Sequence, residues 1–146
     1  MSSHEMGGAM SDTSLIARWK SWAPYSLSTL RIVAAFLFAQ FGSAKLLAFP
    51  AALMPGGGTA PLNSLPGFAG ALELVGGVLL LVGLFTRPVA FLLSGEMAVG
   101  YFMGHAGKGF WPVLNGGTPA VLFSFVWLYI SAAGPGPWSI DALRCR

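Results

Sequence analysis

Four ionisable side chains, Arg31, Lys45, Glu73 and Glu96, lie inside stretches that are otherwise almost uniformly apolar. Two are basic and two acidic, so they balance. An ionisable group at bilayer depth is costly. It is usually paired, faces the protein interior and marks a working site. The surrounding stretches point to membrane; these four residues point to where function resides.

Composition supports that reading. The 146-residue chain is 55% hydrophobic and 9% charged, with a mean hydropathy of +0.69. Soluble domains carry about 25% charged residues, so a membrane protein is expected. The net charge of +3 is small. No basic patch interleaved with aromatic residues occurs, which argues against nucleic acid.

Four apolar runs can be marked: Leu27–Phe49, Gly67–Phe85, Pro88–Ala106 and Gly116–Gly134. Each approaches the roughly 20 residues that cross a hydrocarbon core. Helices satisfy their own backbone hydrogen bonds, which lipid cannot do. The expected fold is therefore all-α, a polytopic four-transmembrane-helix bundle. Residues 1–26 form an N-terminal segment, 27–134 the membrane domain and 135–146 a C-terminal tail. Thr86-Arg87-Pro88 reads as a tight turn into a helix. Pro50–Pro66 reads as a long uncharged loop with a triple glycine, and Gly107–Asn115 as a shorter one.

Basic residues orient the helices. With four spans, Arg18, Lys20, Arg87, Arg144 and Arg146 fall on one side and Lys108 on the other. The positive-inside rule places both termini in the cytoplasm. Trp19, Trp22, Tyr25 and Trp138 suit an aromatic belt at that interface, and Leu15–Trp22 suits a short interfacial helix. The first apolar run is too long for a cleavable signal peptide and follows a polar segment. Met10-Ser11-Asp12 reads as a candidate alternative translation start. The single cysteine, Cys145, reads as a bystander thiol, with no partner for a disulfide or Cys-x-x-Cys motif.

Depth along the helices pairs the charges. At 1.5 Å per residue, Lys45 lies roughly 6 Å and Glu73 roughly 9 Å from the outer ends of their spans. Arg31 lies roughly 6 Å and Glu96 roughly 12 Å from the inner ends of theirs. Lys45 is thus expected to meet Glu73, and Arg31 to meet Glu96 as an inner pair. His105 sits at the depth of Lys45 and Glu73, but on an ideal helix it faces away from Glu96. Lys45, Glu73 and His105 are candidates for a polar pocket that binds a lipophilic ligand's head or relays protons. Such pairs also serve purely to neutralise charge and fix helix register.

Other groups read more simply. Gln40 suits an interhelical hydrogen bond, and Gly100–Gly104 and Ala35-Ala39-Ser43 suit helix contact faces. Haem is disfavoured, since only one histidine lies in a span. No zinc-ligand spacing or nucleotide-binding loop is present. Gly134 and Pro135 should stop the fourth span, with Ser139 capping a short helix and Asp141 in its first turn.

Several short motifs follow one another along the chain: Arg31, Gly42 and Lys45; Glu73-Leu74-Val75-Gly76-Gly77; Gly83-Leu84-Phe85-Thr86-Arg87. They continue with His105; Gly109-Phe110-Trp111-Pro112; Asn115-Gly116-Gly117; and Gly134-Pro135-Gly136-Pro137-Trp138-Ser139-Ile140-Asp141. In these the chain resembles the DoxX family of small bacterial inner-membrane proteins, over roughly Arg31 to Asp141. The resemblance implies a four-helix membrane protein associated with quinol or thiosulfate:quinone oxidoreductase complexes, quinone and catechol stress, and membrane thiol defence. Relatives often carry a glutamate after Asn-Gly-Gly; this chain has Thr118 and Pro119. The charge of a site would then come from Glu73 or Glu96.

Three functions are weighed. One is a component of a quinone-linked redox system that binds quinone through Lys45, Glu73 and His105. It has no electron carrier of its own, which implies a soluble or membrane redox partner protein. A second is a carrier for a small lipophilic or weakly acidic solute; with only four spans it would be expected to form a homo-oligomer. A third is a membrane scaffold that recruits a soluble redox enzyme. All three have the lipid bilayer as surroundings.

Overall fold

The computed structural model of the protein describes residues 3–54 and 56–144, with side chains from Ile16 onward; Cys145 and Arg146 lie outside the described residues. The described residues form helices and no strand. They are α1 (Ser3–Leu47), α2 (Leu65–Val82), α3 (Thr86–Gly104), α4 (Pro112–Asn115), α5 (Thr118–Ala133) and α6 (Ile140–Arg144), with a 3-10 turn at Ala106–Lys108.

The boundaries follow local chemistry. α1 ends where Ala48 turns to φ 52° ahead of Pro50. Ser64 caps α2, its hydroxyl accepting from the Gly67 N–H at 3.2 Å. Gly83 closes α2 at φ 70°, a left-handed conformation that suits glycine at a helix C-terminus. Pro119 sits in the first turn of α5, and Gly134 ends that helix at φ 100°. The expected separate helix at Leu15–Trp22 is instead continuous with α1, which runs through Pro24 without a break. The boundary drawn between residues 26 and 27 therefore falls inside one helix.

Ile16–Leu47 and Leu65–Val82 are each long and apolar enough to cross a membrane. The core draws on all four long helices: Ala34, Ala35 and Phe38 from α1, Leu80 from α2, Ala90 and Leu93 from α3, and Phe123, Trp127 and Ile130 from α5. Phe38, Phe123 and Trp127 stack at its centre, with ring centroids 5.1–5.8 Å apart. Across α3 and α5, Ser94 and Ser124 donate reciprocally to each other's backbone carbonyls at 2.8 and 3.1 Å. Such small polar residues hold helices together where lipid gives no hydrophobic drive. Phe36, Phe91, Phe102 and Phe125 point outward and are exposed, an arrangement that suits lipid and not water.

Candidate functional site: an unsatisfied carboxylate cavity

A close crossing of α1 and α2 brings Lys45 to Glu73. A Cβ on Gly42 would strike the backbone of Leu74 and the Gly70 carbonyl, and one on Gly70 would meet the Lys45 Cβ at 3.0 Å. Glycine is required here because the backbones nearly touch. The Lys45 Nζ donates to Glu73 Oε1 at 2.6 Å. The Glu73 side chain is 4% exposed and that of Lys45 24%. This charge-assisted contact is the ion pair expected from depth.

The pair opens onto a cavity of about 300 Å³ also lined by Glu96 and His105. Both oxygens of Glu96, and Oε2 of Glu73, are buried without a hydrogen-bond partner among the described residues. Three of the four carboxylate oxygens are therefore unsatisfied, against a norm in which buried polar atoms are bonded. The opposite wall is apolar: Phe38, Phe41, Met97 and Phe123.

His105 reaches the cavity because it has left the helix. It caps α3 at φ −125°, so its direction no longer follows the helical wheel that aimed it away from Glu96. That expectation is corrected: His105 lines one cavity with both carboxylates. Its Nδ1 lies 3.0 Å from the Asn115 carbonyl. A carbonyl only accepts, so Nδ1 carries the proton in this contact. Asn115 was not singled out as a site residue, yet it fixes this corner. Its amide donates to the Gly109 carbonyl and its Oδ1 accepts from the Gly117 N–H, both at 2.8 Å. The readable signal is an asparagine ahead of two glycines, which favours such a local turn.

The pairing of Arg31 with Glu96 is not observed. Arg31 is fully buried, and its guanidinium donates to four backbone carbonyls. Those of Leu81 and Pro135 accept at 2.9 and 2.8 Å, and those of Leu80 and Trp138 also accept. The physical reason lies at the end of α2, where the last carbonyls have no helical partner. A planar fork of five donors satisfies them and the turn after α5 together. Glu96 instead faces the Lys45 cavity.

Further contacts close the Arg31 end. Arg87 donates to the carbonyls of Ser131 and Ala132 at 3.0 and 2.6 Å, at the end of α5. Ser139 caps α6, accepting from the Ala142 N–H at 3.1 Å. The Asp141 carboxylate accepts from the N–H groups of Phe85 and Thr86 at 2.9 and 2.8 Å. It thereby caps α3, which has no side-chain cap of its own. Burial acts to raise the Asp141 pKa, but these N–H groups and the Arg144 charge outweigh it and hold it below the usual aspartate value. Tyr25 and Trp138 meet here at 5.6 Å.

Two apolar grooves adjoin the cavity. One, of about 470 Å³, shares Phe41, Pro119 and Phe123 with it; Gln40 and Thr118 lie in this groove. Gln40 donates weakly within α1, to the Phe36 carbonyl at 3.4 Å, and makes no interhelical bond among the described residues. The other, of about 560 Å³, runs between α2 and α3 and shares Lys45, Ala69, Glu96 and Gly100. A Cβ on Gly100 or Gly104 would meet nothing within 4 Å. These glycines line an open groove and are not the packing face expected.

A quinone fits the donor set. Its carbonyls need hydrogen-bond donors, and Lys45 has two N–H groups beyond the one given to Glu73. Its ring needs apolar walls, which the phenylalanines supply. The cavity is at the lower end of the 300–1,000 Å³ usual for ligand sites, and either groove could take a tail.

The described residues form helices, two of them long and apolar enough to cross a membrane, around a buried ion pair and a polar cavity, a pattern that suits a small helical membrane protein. The DoxX family model matches residues 26–106, more than half of the chain, and the chain belongs to the DoxX family. It is 46% identical over 125 residues to an uncharacterized protein of Haemophilus influenzae, covering 84% of this chain and 92% of that one. No solved structure matches the chain.

Proposed function

We propose that this DoxX family membrane protein binds a quinone-like lipophilic ligand and serves as a membrane component of a quinone-linked redox system. Its place would be the bacterial inner membrane, crossed four times with both termini cytoplasmic. The observation that carries the reading is a single cavity that combines Lys45, Glu73, Glu96 and His105 with an aromatic wall and adjoins two apolar grooves. Polar groups would hold the head, and a groove the hydrocarbon tail. The charge distribution supports the orientation: Arg87, Arg144 and the belt residues Tyr25 and Trp138 gather at the Arg31 end, which would be cytoplasmic. Lys45, Glu73 and His105 then lie in the outer half. A soluble or membrane redox partner would supply or remove electrons, since the chain carries no electron-carrier motif.

The test is direct binding of decylubiquinone to purified protein in lipid nanodiscs, together with quinone reduction in membranes from a deletion strain. Saturable binding and altered reduction are expected. No binding, with unchanged reduction, would refute the reading.

A further inference from the structure

We infer that the cavity selects a lipophilic ligand whose head group donates hydrogen bonds, so that the hydroxyl-bearing reduced form of a quinone-like molecule binds in preference to the carbonyl-bearing oxidised form. This deepens the proposed quinone site and rests on it. The inference comes from a count of donors and acceptors. Glu73 Oε2 and both Glu96 oxygens are buried without partners. The Nδ1 proton of His105 is already directed at the Asn115 carbonyl, so that nitrogen adds no free donor. The free donors are the two remaining N–H groups of Lys45. With both carboxylates ionised, acceptors outnumber the free donors.

A carbonyl head can only accept. It would engage Lys45 and leave the Glu96 oxygens as they are. A hydroxyl both accepts and donates, so one group takes a proton from Lys45 and gives one to a carboxylate oxygen. Two hydroxyls across a ring could satisfy both kinds of partner at two places in the cavity. Leaving buried acceptors unpaired is costly, and a site that bonds a ligand hydroxyl rejects the analogue that lacks it far more strongly than a site that reads shape alone. An alkylammonium also donates and would balance the second carboxylate, but it cannot accept from Lys45; it is therefore the rival occupant that the test must separate.

Four probes separate the outcomes, titrated calorimetrically against the full chain in nanodiscs under anaerobic conditions: decylubiquinol, decylubiquinone, the quinol's dimethyl ether and dodecylamine. We expect the quinol to bind roughly tenfold or more tightly than the others, as one satisfied buried bond provides. Equal or tighter binding of the quinone or the ether would overturn the inference while leaving the quinone site standing. Tighter binding of dodecylamine would overturn it in favour of a cation site. Binding of none would overturn both the inference and the site. Glu96→Gln, whose amide brings its own donor, should narrow the quinol preference to about threefold or less; an unchanged preference would contradict the inference. The ether comparison uses the unaltered chain and stands even if that variant fails to fold.

Discussion

At one end of the helices Arg31 is fully buried, and its donors are met by four backbone carbonyls. At the other end two carboxylates face one lysine, which bonds only Glu73, and three of their oxygens have no partner among the described residues. Both ends bury charge, but only one satisfies it. The Arg31 end behaves as a clasp, tying the end of α2 and the turn after α5 to α1, while Asp141 ties α6 to the start of α3. The Lys45 end keeps unsatisfied acceptors beside open apolar space. Polar groups that a fold leaves unmatched mark where something else is meant to bind.

Substitutions can break or sharpen this contrast. The largest effect is expected from Arg31→Ala, which strands several buried carbonyls and empties the space between α1, α2 and the tail. Loss of about 3–5 kcal/mol, read as failure to fold or a large drop in Tm in detergent, is predicted. Lys45→Met leaves the Glu73 carboxylate without its cation; about 2–3 kcal/mol is expected, discounted because Lys45 is partly exposed. Asp141→Asn weakens the cap on α3 by about 1 kcal/mol. Because the folded-state pKa of Asp141 is depressed, its contribution is fully present above the unfolded aspartate value of about 3.9 and is lost as pH falls through the folded value. Thermal unfolding of the Asn variant should therefore converge with that of the parent chain in acid. Gly100→Leu adds a side chain in open space, so stability should change by no more than about 0.5 kcal/mol. Weaker decylubiquinone binding in that variant would place the ligand path between α2 and α3.

The sequence told more about the helices than about their partners. Hydropathy placed the four apolar runs within about three residues of α1, α2, α3 and α5 at their shared ends, because a long apolar run is most readily satisfied as a helix that bonds its own backbone. Depth found the Lys45–Glu73 contact because both residues sit inside regular helices. The same reasoning mispaired Arg31, since its acceptors are backbone carbonyls at a helix end and in a turn, and no residue letter announces them. It also misdirected His105, since one residue leaving the helical conformation voids the wheel. Gly100 and Gly104 were legible as small, but not as open, because the neighbour that would cover them is a tertiary fact. The motifs Gly83–Arg87 and Gly134–Asp141 carry much of the family resemblance. Their contacts belong to the clasp: a Cβ on Gly83 would run into Ser139 and the Arg31 guanidinium, and one on Gly136 into Ser28.

The division of labour between the two ends is tested most directly by the double variant Lys45→Met, Glu73→Leu. It removes both charges at similar volume, so the fold should persist with little change in Tm. Binding of decylubiquinol and decylubiquinone to the nanodisc-embedded protein, measured by calorimetry, should fall to background. Undiminished binding by a stably folded double variant would contradict the account.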